Sequence, residues 1–426
     1  MNPPSKITAR MRYALLALAV AAGHAVAAPP SVPAEHWSPS WMAAPQPLWG
    51  GDFVLPLGLP FQYHRQTIRQ VARLSIGGTQ LRVVLSNEGS TVPLHIGAAR
   101  VARHAQGAGG SATVPGTDRP LRFGGQAATV VPPGARWVSD PVDLPLPALA
   151  EVAVSLYLPQ PSAPAGFHFD ARQTAHVAEG EHTAALQLPA AATAWSTRVY
   201  VSGLVVQTPA PAAAVVVLGD SITDGNGATP GANARWPDAL AERLAGQGVA
   251  VLNAGISGGR LLRDGMGRAG LTRAAQDVFG QPGVRALIVL LGTNDIGWPG
   301  GPFAPGEPAL RAEELVQGYR QLIAMARSHN VRVVGGTIPP FGDALAGTPL
   351  AGHYSPEKDA VRQAVNRWIR EAGAFDAVVD FDALLRDPAR PSHLRAEMDS
   401  GDHLHPGDAG YRAMAEAVDL EALLGR

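Results

Sequence analysis

Ala212 to Leu218 is a run of small and β-branched apolar residues with no charge and no alternation. Such a run reads as a strand buried on both faces. It stops at Gly219, and Asp220-Ser221-Ile222-Thr223-Asp224-Gly225 follows. From there short apolar runs alternate with helical patterns. Val249–Asn253, Ala286–Leu291, Val331–Ile338 and Ala377–Phe381 read as strands. Helices are expected near 236–247, 271–279, 310–328, 355–372 and 406–424. Ser355-Pro356 opens the fourth of these, with Pro at the first helical position. Buried strands alternating with helices predict an α/β fold, a doubly wound parallel sheet with helices on both faces.

The chain before this region reads differently. Thr67 to Tyr200 carries short strand candidates punctuated by Gly and Pro, and no long helical period. They include 67–76 and 80–86, taken as partners across the Gly77-Gly78 turn, then 94–101, 119–123, 127–131, 151–158 and 197–206. This pattern predicts an all-β sandwich or jelly-roll-like domain. Residues 28–48, rich in Pro, Ala and Trp, read as an extended lead-in. Gln207-Thr-Pro-Ala-Pro-Ala212 is a connector. With 426 residues, two folded domains are expected, 28–207 and 212–426.

Residues 1–27 resemble an export signal. Lys6, Arg10 and Arg12 precede the apolar run Tyr13–Ala22, and Ala25-Val26-Ala27 suits cleavage. The run is too short to span a bilayer, so a secreted or periplasmic protein with no membrane span in its mature form is expected. A formal net charge of -1 gives no electrostatic basis for binding nucleic acid or an anionic membrane. The chain has no cysteine, which excludes disulfides, thiolate nucleophiles and Cys-ligated metals.

Four polar blocks follow predicted strands or precede the last helix. They are Ser221; Asn253-Ala-Gly-Ile-Ser-Gly258-Gly259; Gly292-Thr-Asn294-Asp295; and Asp402-His403-Leu404-His405-Pro406. Carboxyl ends of parallel strands converge at one edge of the sheet. Together the blocks supply what acyl transfer needs. Ser221 is the candidate nucleophile, His405 the general base and acid, and Asp402 the group that orients the imidazole. The oxyanion hole would comprise the Ser221 and Gly258 amides and the Asn294 side chain. No cofactor and no metal are required.

These blocks resemble the SGNH (GDSL-type) hydrolase family. GDSITDG matches its first block, NAGISG its second, GTND its third and DHLHP its Asp-x-x-His block, in family order. The resemblance implies a flavodoxin-like α/β/α sheet and a serine esterase without cofactor. It also implies short acyl or O-acetyl esters, on small molecules or on carbohydrate. More loosely, RQVARLSIGG and LRVVLSN resemble the β-rich region that precedes this module in some secreted bacterial esterases.

Other readings compete. Gly255-Ile-Ser257-Gly-Gly259 fits G-x-S-x-G, which would make Ser257 the nucleophile but leaves Ser221 and Asn294 without roles. His403 and His405 with Asp399 and Asp402 could hold a metal. Asp220 and Asp224 read as cap or turn residues. Residues 298–308 either line the pocket or form a plain surface loop, and Arg260 and Arg263 fit solvation better than substrate contact. Two further functions stay open. One is an acyltransferase with the same triad; the other is a carbohydrate- or surface-binding protein with a vestigial esterase module. Oligomeric state is not legible.

Overall fold

The computed structural model describes residues 35–51, 53–105 and 110–426. Residues 1–27, read from the sequence as an export signal, lie outside the described residues. From His36 to Arg426 the chain forms one compact unit.

The five runs read as buried strands form a parallel sheet. Its order is Val249–Gly255, Ala213–Gly219, Val284–Leu290, Arg332–Gly336, Ala377–Val379. In chain order that is 2-1-3-4-5, the flavodoxin-like doubly wound arrangement, whose switch point lies between the first and third strands. The lack of alternation has its cause here. Ala214, Val216 and Leu218 point into one buried cluster, and Val215 and Val217 into the other. Leu315, Tyr319, Val365 and Ile369 of helices Ala312–Ser328 and Pro356–Glu371 cover the first face. Trp236, Leu240, Tyr411 and Met414 of helices Trp236–Leu244 and Asp408–Glu416 cover the second. Each fully buried Val, Leu, Ile or Met side chain among these contributes roughly 1.5–3 kcal/mol.

Boundaries moved where local signals ended. Ser355 caps its helix, accepting from the Lys358 amide at 3.2 Å. The helix expected over 406–424 is two, Asp408–Glu416 and Leu420–Leu424, because Asp419 accepts from the Glu421 and Ala422 amides and restarts the chain. Phe381, expected at a strand end, opens a short helix, Phe381–Leu385, capped by Asp380. No helix among the described residues is long and apolar enough to cross a membrane.

The first half is β-rich and antiparallel. One sheet runs His36–Met42, Val201–Thr208, Gly78–Ser86, Val142–Leu146, with Arg136–Val138 also on Gly78–Ser86. The other runs Thr193–Trp195, Ala175–Glu179, Gln66–Arg73, Glu151–Leu158, Ala98–Arg103, Arg119–Pro120. The hairpin expected between 67–76 and 80–86 does not form. Gln66–Arg73 pairs with Glu151–Leu158 and Ala175–Glu179, while Gly78–Ser86 pairs with Val201–Thr208 and Val142–Leu146. Gly77-Gly78 is instead a corner between two sheets. A Cβ on Gly78 would lie 2.5 Å from Gln207 O, and one on Gly77 would collide with Leu146 O. The double glycine reflects close backbone approach, not a tight turn.

A three-stranded sheet, Arg198–Val199, Gly166–His168, Gln46–Pro47, and a two-stranded one, Leu94–Ile96 with Thr129–Val131, also belong to the β part. Ser75 Oγ accepts from the Val251 amide at 3.2 Å, so the β part reaches the outer strand of the parallel sheet.

Candidate active site

Strand Ala213–Gly219 ends where Thr223 folds back over it. A side chain on Gly219 would overlap Thr223, so only glycine lets the turn close. Asp220 caps the one-turn helix Ser221–Asp224, Oδ1 accepting from the Ile222 amide at 3.0 Å. Ser221 is thereby the first residue of a helix, and its N–H has no acceptor within it.

His405 arrives from the loop before helix Asp408–Glu416. Its Nε2 lies 2.7 Å from Ser221 Oγ, and its Nδ1 lies 2.6 Å from Asp402 Oδ2. A carboxylate only accepts, so Nδ1 carries the proton and Nε2 is free to accept from the Ser221 hydroxyl. Asp402 Oδ1 accepts from the amides of Leu404 at 2.9 Å and His405 at 2.8 Å. The tight spacing of Asp-x-x-His follows: the same carboxylate closes its own turn and holds the ring. Burial alone would raise the Asp402 pKa. The hydrogen bond from His405 Nδ1, with those two amides, reverses this and holds it well below the usual range.

Gly258 and Asn294 come from the loops after the second and third strands. Gly258 has φ +71°, and the Met266 side chain occupies the space a Cβ would need. Both facts restrict the position to glycine. Among the described residues its amide meets no acceptor. Asn294, in the short helix Thr293–Gly297, donates from Nδ2 to Gly259 O at 3.1 Å, and its second amide hydrogen is uncommitted. Asp295 ties this loop to the Gly258 loop, accepting from the Leu261 amide at 2.7 Å and the Leu262 amide at 2.9 Å.

The other candidates separate clearly. Ser257 Oγ lies 2.8 Å from Asp224 Oδ2, to which it donates, and 2.9 Å from the Asn226 side chain. Its hydroxyl is thus committed to a carboxylate and is not set against a base. His403 turns away from His405 and pairs through Nδ1 with Asp399 at 2.6 Å. Asp220 is a cap, as expected. Asp224 is not a cap: its side chain is buried, the residue being 1% exposed, and lies 2.8 Å from His168 Nε2. Arg260, whose sequence context fits solvation, is buried. Its guanidinium stacks 4.9 Å from the Trp298 ring centroid and pairs with Glu307 at 2.8 Å. Arg263 pairs with the same carboxylate at 2.7 Å. Trp298 in turn stacks on Phe303 at 4.6 Å. The 298–308 segment is therefore pinned to the loop after Gly258.

Asp295, His168 and His353 are further polar residues around the site to which the sequence blocks give no role. Asp295 at least lies inside the GTND block. His353 packs on Gly297, where any Cβ would strike it. Burial, helped by Lys358 and His405, pushes its imidazole down to about 3, so it stays neutral. No local pattern marks His168 or His353.

Two carboxyls behind the site couple stability to pH. Burial pushes Asp220 up to about 7, against the Ile222 amide and His405. It pushes Asp295 up to about 6, against the Leu261 and Leu262 amides. In the folded chain each keeps a proton that the unfolded chain loses above about pH 4. Their stabilising contribution is complete below that pH and falls as pH rises through about 6 and 7. The slope is at most about 1.4 kcal/mol per pH unit for each group. Urea unfolding of the wild type and Asp220→Asn from about pH 4 to about pH 8 should show the wild type losing stability relative to the variant as pH rises. A gap independent of pH would mean that Asp220 is ionised throughout.

A doubly wound sheet bearing a Ser–His–Asp hydrogen-bond chain at its carboxyl edge belongs with the hydrolytic α/β enzymes. Residues 217–413 match the model of the GDSL-like Lipase/Acylhydrolase family. Over those residues the chain is an acylhydrolase domain, an ester hydrolase by class. Among solved structures, a carbohydrate acetylesterase family member from Sinorhizobium meliloti is 20% identical. That match covers 50% of this chain and 100% of its own, with a TM-score of 0.39. A GDSL-like lipase from Bacteroides thetaiotaomicron VPI-5482 is 17% identical, covering 48% of this chain and 84% of its own, with a TM-score of 0.36. No curated protein matches the chain.

Proposed function

We propose that the protein is an exported serine ester hydrolase working through an acyl-enzyme on Ser221. The observation that carries this is the unbroken hydrogen-bond chain Ser221 Oγ, His405, Asp402, at 2.7 and 2.6 Å. Ser221 Oγ attacks the ester carbonyl as its proton passes to His405 Nε2. Asp402 keeps Nδ1 protonated and stabilises the imidazolium. The carbonyl oxygen becomes an oxyanion facing the Ser221 and Gly258 amides and the free hydrogen of Asn294 Nδ2. His405 then protonates the departing alcohol. A water, deprotonated by His405, attacks the acyl carbon; the bond to Ser221 Oγ then breaks as His405 returns the proton to that oxygen, and the acid is released. Every role is filled by a side chain or an amide, so prolonged chelation should leave turnover unchanged. Activity that returned only with a divalent ion would refute this account.

Short acyl groups, including O-acetyl on carbohydrate, are the proposed substrates, as the family resemblance implies. A panel of esters of increasing acyl length, run on the wild type and Ser221→Ala, tests both activity and preference. Export is supported by the basic start and apolar run of residues 1–27. Sequencing the N-terminus of the exported protein should find it cut after Ala27.

Asn294→Ala separates a transition-state role from a structural one. Loss of one oxyanion donor lowers kcat by about 10²–10³ with KM little changed. The Gly259 carbonyl also loses its donor, so a modest fall in Tm is expected beside it. Wild-type kcat per active site, with only the Tm lowered, would remove Asn294 from the oxyanion hole.

A further inference from the structure

The loop from Ser257 to Met266 carries the Gly258 amide, and the β part grips it at both ends. At the near end, Asp224 Oδ2 accepts from the Ser257 amide at 2.9 Å and the Ser257 hydroxyl at 2.8 Å. Asp224 closes the helix that Ser221 opens, so one carboxylate ties the nucleophile's turn to the residue before Gly258. Its other oxygen faces His168 Nε2 at 2.8 Å, while His168 Nδ1 faces Ala44 O at 3.0 Å. Both partners are acceptors, so both ring nitrogens donate and His168 is an imidazolium. Both residues are buried. A buried carboxylate lacking such a partner would be costly.

At the far end, Met266 O accepts from Gln46 Nε2 at 2.9 Å and Trp49 Nε1 at 2.8 Å. Gln46 and Trp49 are themselves buried. The Met266 side chain lies against Gly258. Gln46 Oε1 also accepts from the Phe169 amide at 2.7 Å, which joins the two grips through the residue after His168.

We infer that the antiparallel β part is a working part of the active site, with His168, Gln46 and Trp49 as positioning residues that set the Gly258 amide against Ser221. This rests on the proposed ester hydrolysis. None of the three is placed to touch the reacting atoms. They act through Asp224, Ser257 and Met266. An oxyanion donor acts only if it sits where the negative charge develops, and a misplacement of about 1 Å can cost about 100-fold in rate. The β part is therefore not an accessory module that could be removed with turnover intact.

The test uses the full chain with His168→Gln and Trp49→Phe, beside the wild type and Ser221→Ala. Active sites are counted with a serine-directed phosphonate. Turnover of an acetyl ester, inhibition by a boronic acid that forms a tetrahedral adduct on Ser221, and Tm are then measured. We expect kcat per counted site to fall about 10- to 100-fold in both variants, with KM within about twofold. The boronate inhibition constant should rise by the same factor as kcat falls, since only the tetrahedral species needs the amide in place. A purely structural role would lower Tm and the number of sites but leave both ratios per site at wild-type values, and that result overturns the inference. If His168→Gln does not fold, Trp49→Phe decides, because it deletes one hydrogen bond and keeps a ring. Absence of wild-type esterase activity, or its survival in Ser221→Ala, would instead overturn the ester-hydrolase reading and this inference with it.

Discussion

Ser221→Ala is expected to reduce ester turnover by about 10⁶-fold while leaving the fold intact. The size follows from the geometry. His405 Nε2 lies 2.7 Å from Ser221 Oγ. With the hydroxyl gone, there is no atom for the ester carbon to bond to. What remains is water held near the oxyanion donors, which gives only residual catalysis. Stability should change little, because the turn is capped by Asp220 and held by Asp224, not by the Ser221 hydroxyl. The decisive pairing is turnover with labelling. A phosphonate should mark a peptide containing Ser221 in the wild type and nothing in the variant. Labelling at Ser257, with activity surviving Ser221→Ala, would overthrow the assignment.

Asp402→Asn is expected to lower kcat by about 10⁴-fold, with a near-wild-type Tm. The substitution keeps the shape and changes one proton. Asp402 Oδ1 accepts from the Leu404 and His405 amides. An asparagine would keep its oxygen there, because those donors need an acceptor. Its NH₂ would then face His405 Nδ1, which the carboxylate now meets at 2.6 Å. Two donors cannot share that contact, so the ring would move its proton to Nε2. A protonated Nε2 cannot take the Ser221 proton. Loss of turnover with a retained fold, together with a proton resonance showing Nε2–H, would establish the route. A loss of less than about tenfold would mean that Asp402 does not set the tautomer.

What could be read from the chain was what depends on neighbours in sequence. The five apolar runs announce a parallel sheet because burial on both faces removes alternation, and the helices between them dictate its connections. Strand ends then bring Ser221, Gly258 and Asn294 to one edge, and the three-residue spacing of Asp402 and His405 lets one carboxylate serve both its own turn and the ring. What only the tertiary structure decided was long-range. The 67–76 and 80–86 strands belong to different sheets because each finds better partners far along the chain, and the intervening glycines answer to backbone packing rather than turn chemistry. Arg260 is buried because Trp298 and Glu307 reach it from another loop. His168 meets Asp224 across 56 residues, and Gln46 meets Met266 across 220. A sequence carries periodicity and capping in its local order. It carries no local mark for a hydrogen bond between distant segments, so the grip of the β part on the Gly258 loop exists only once the chain has folded.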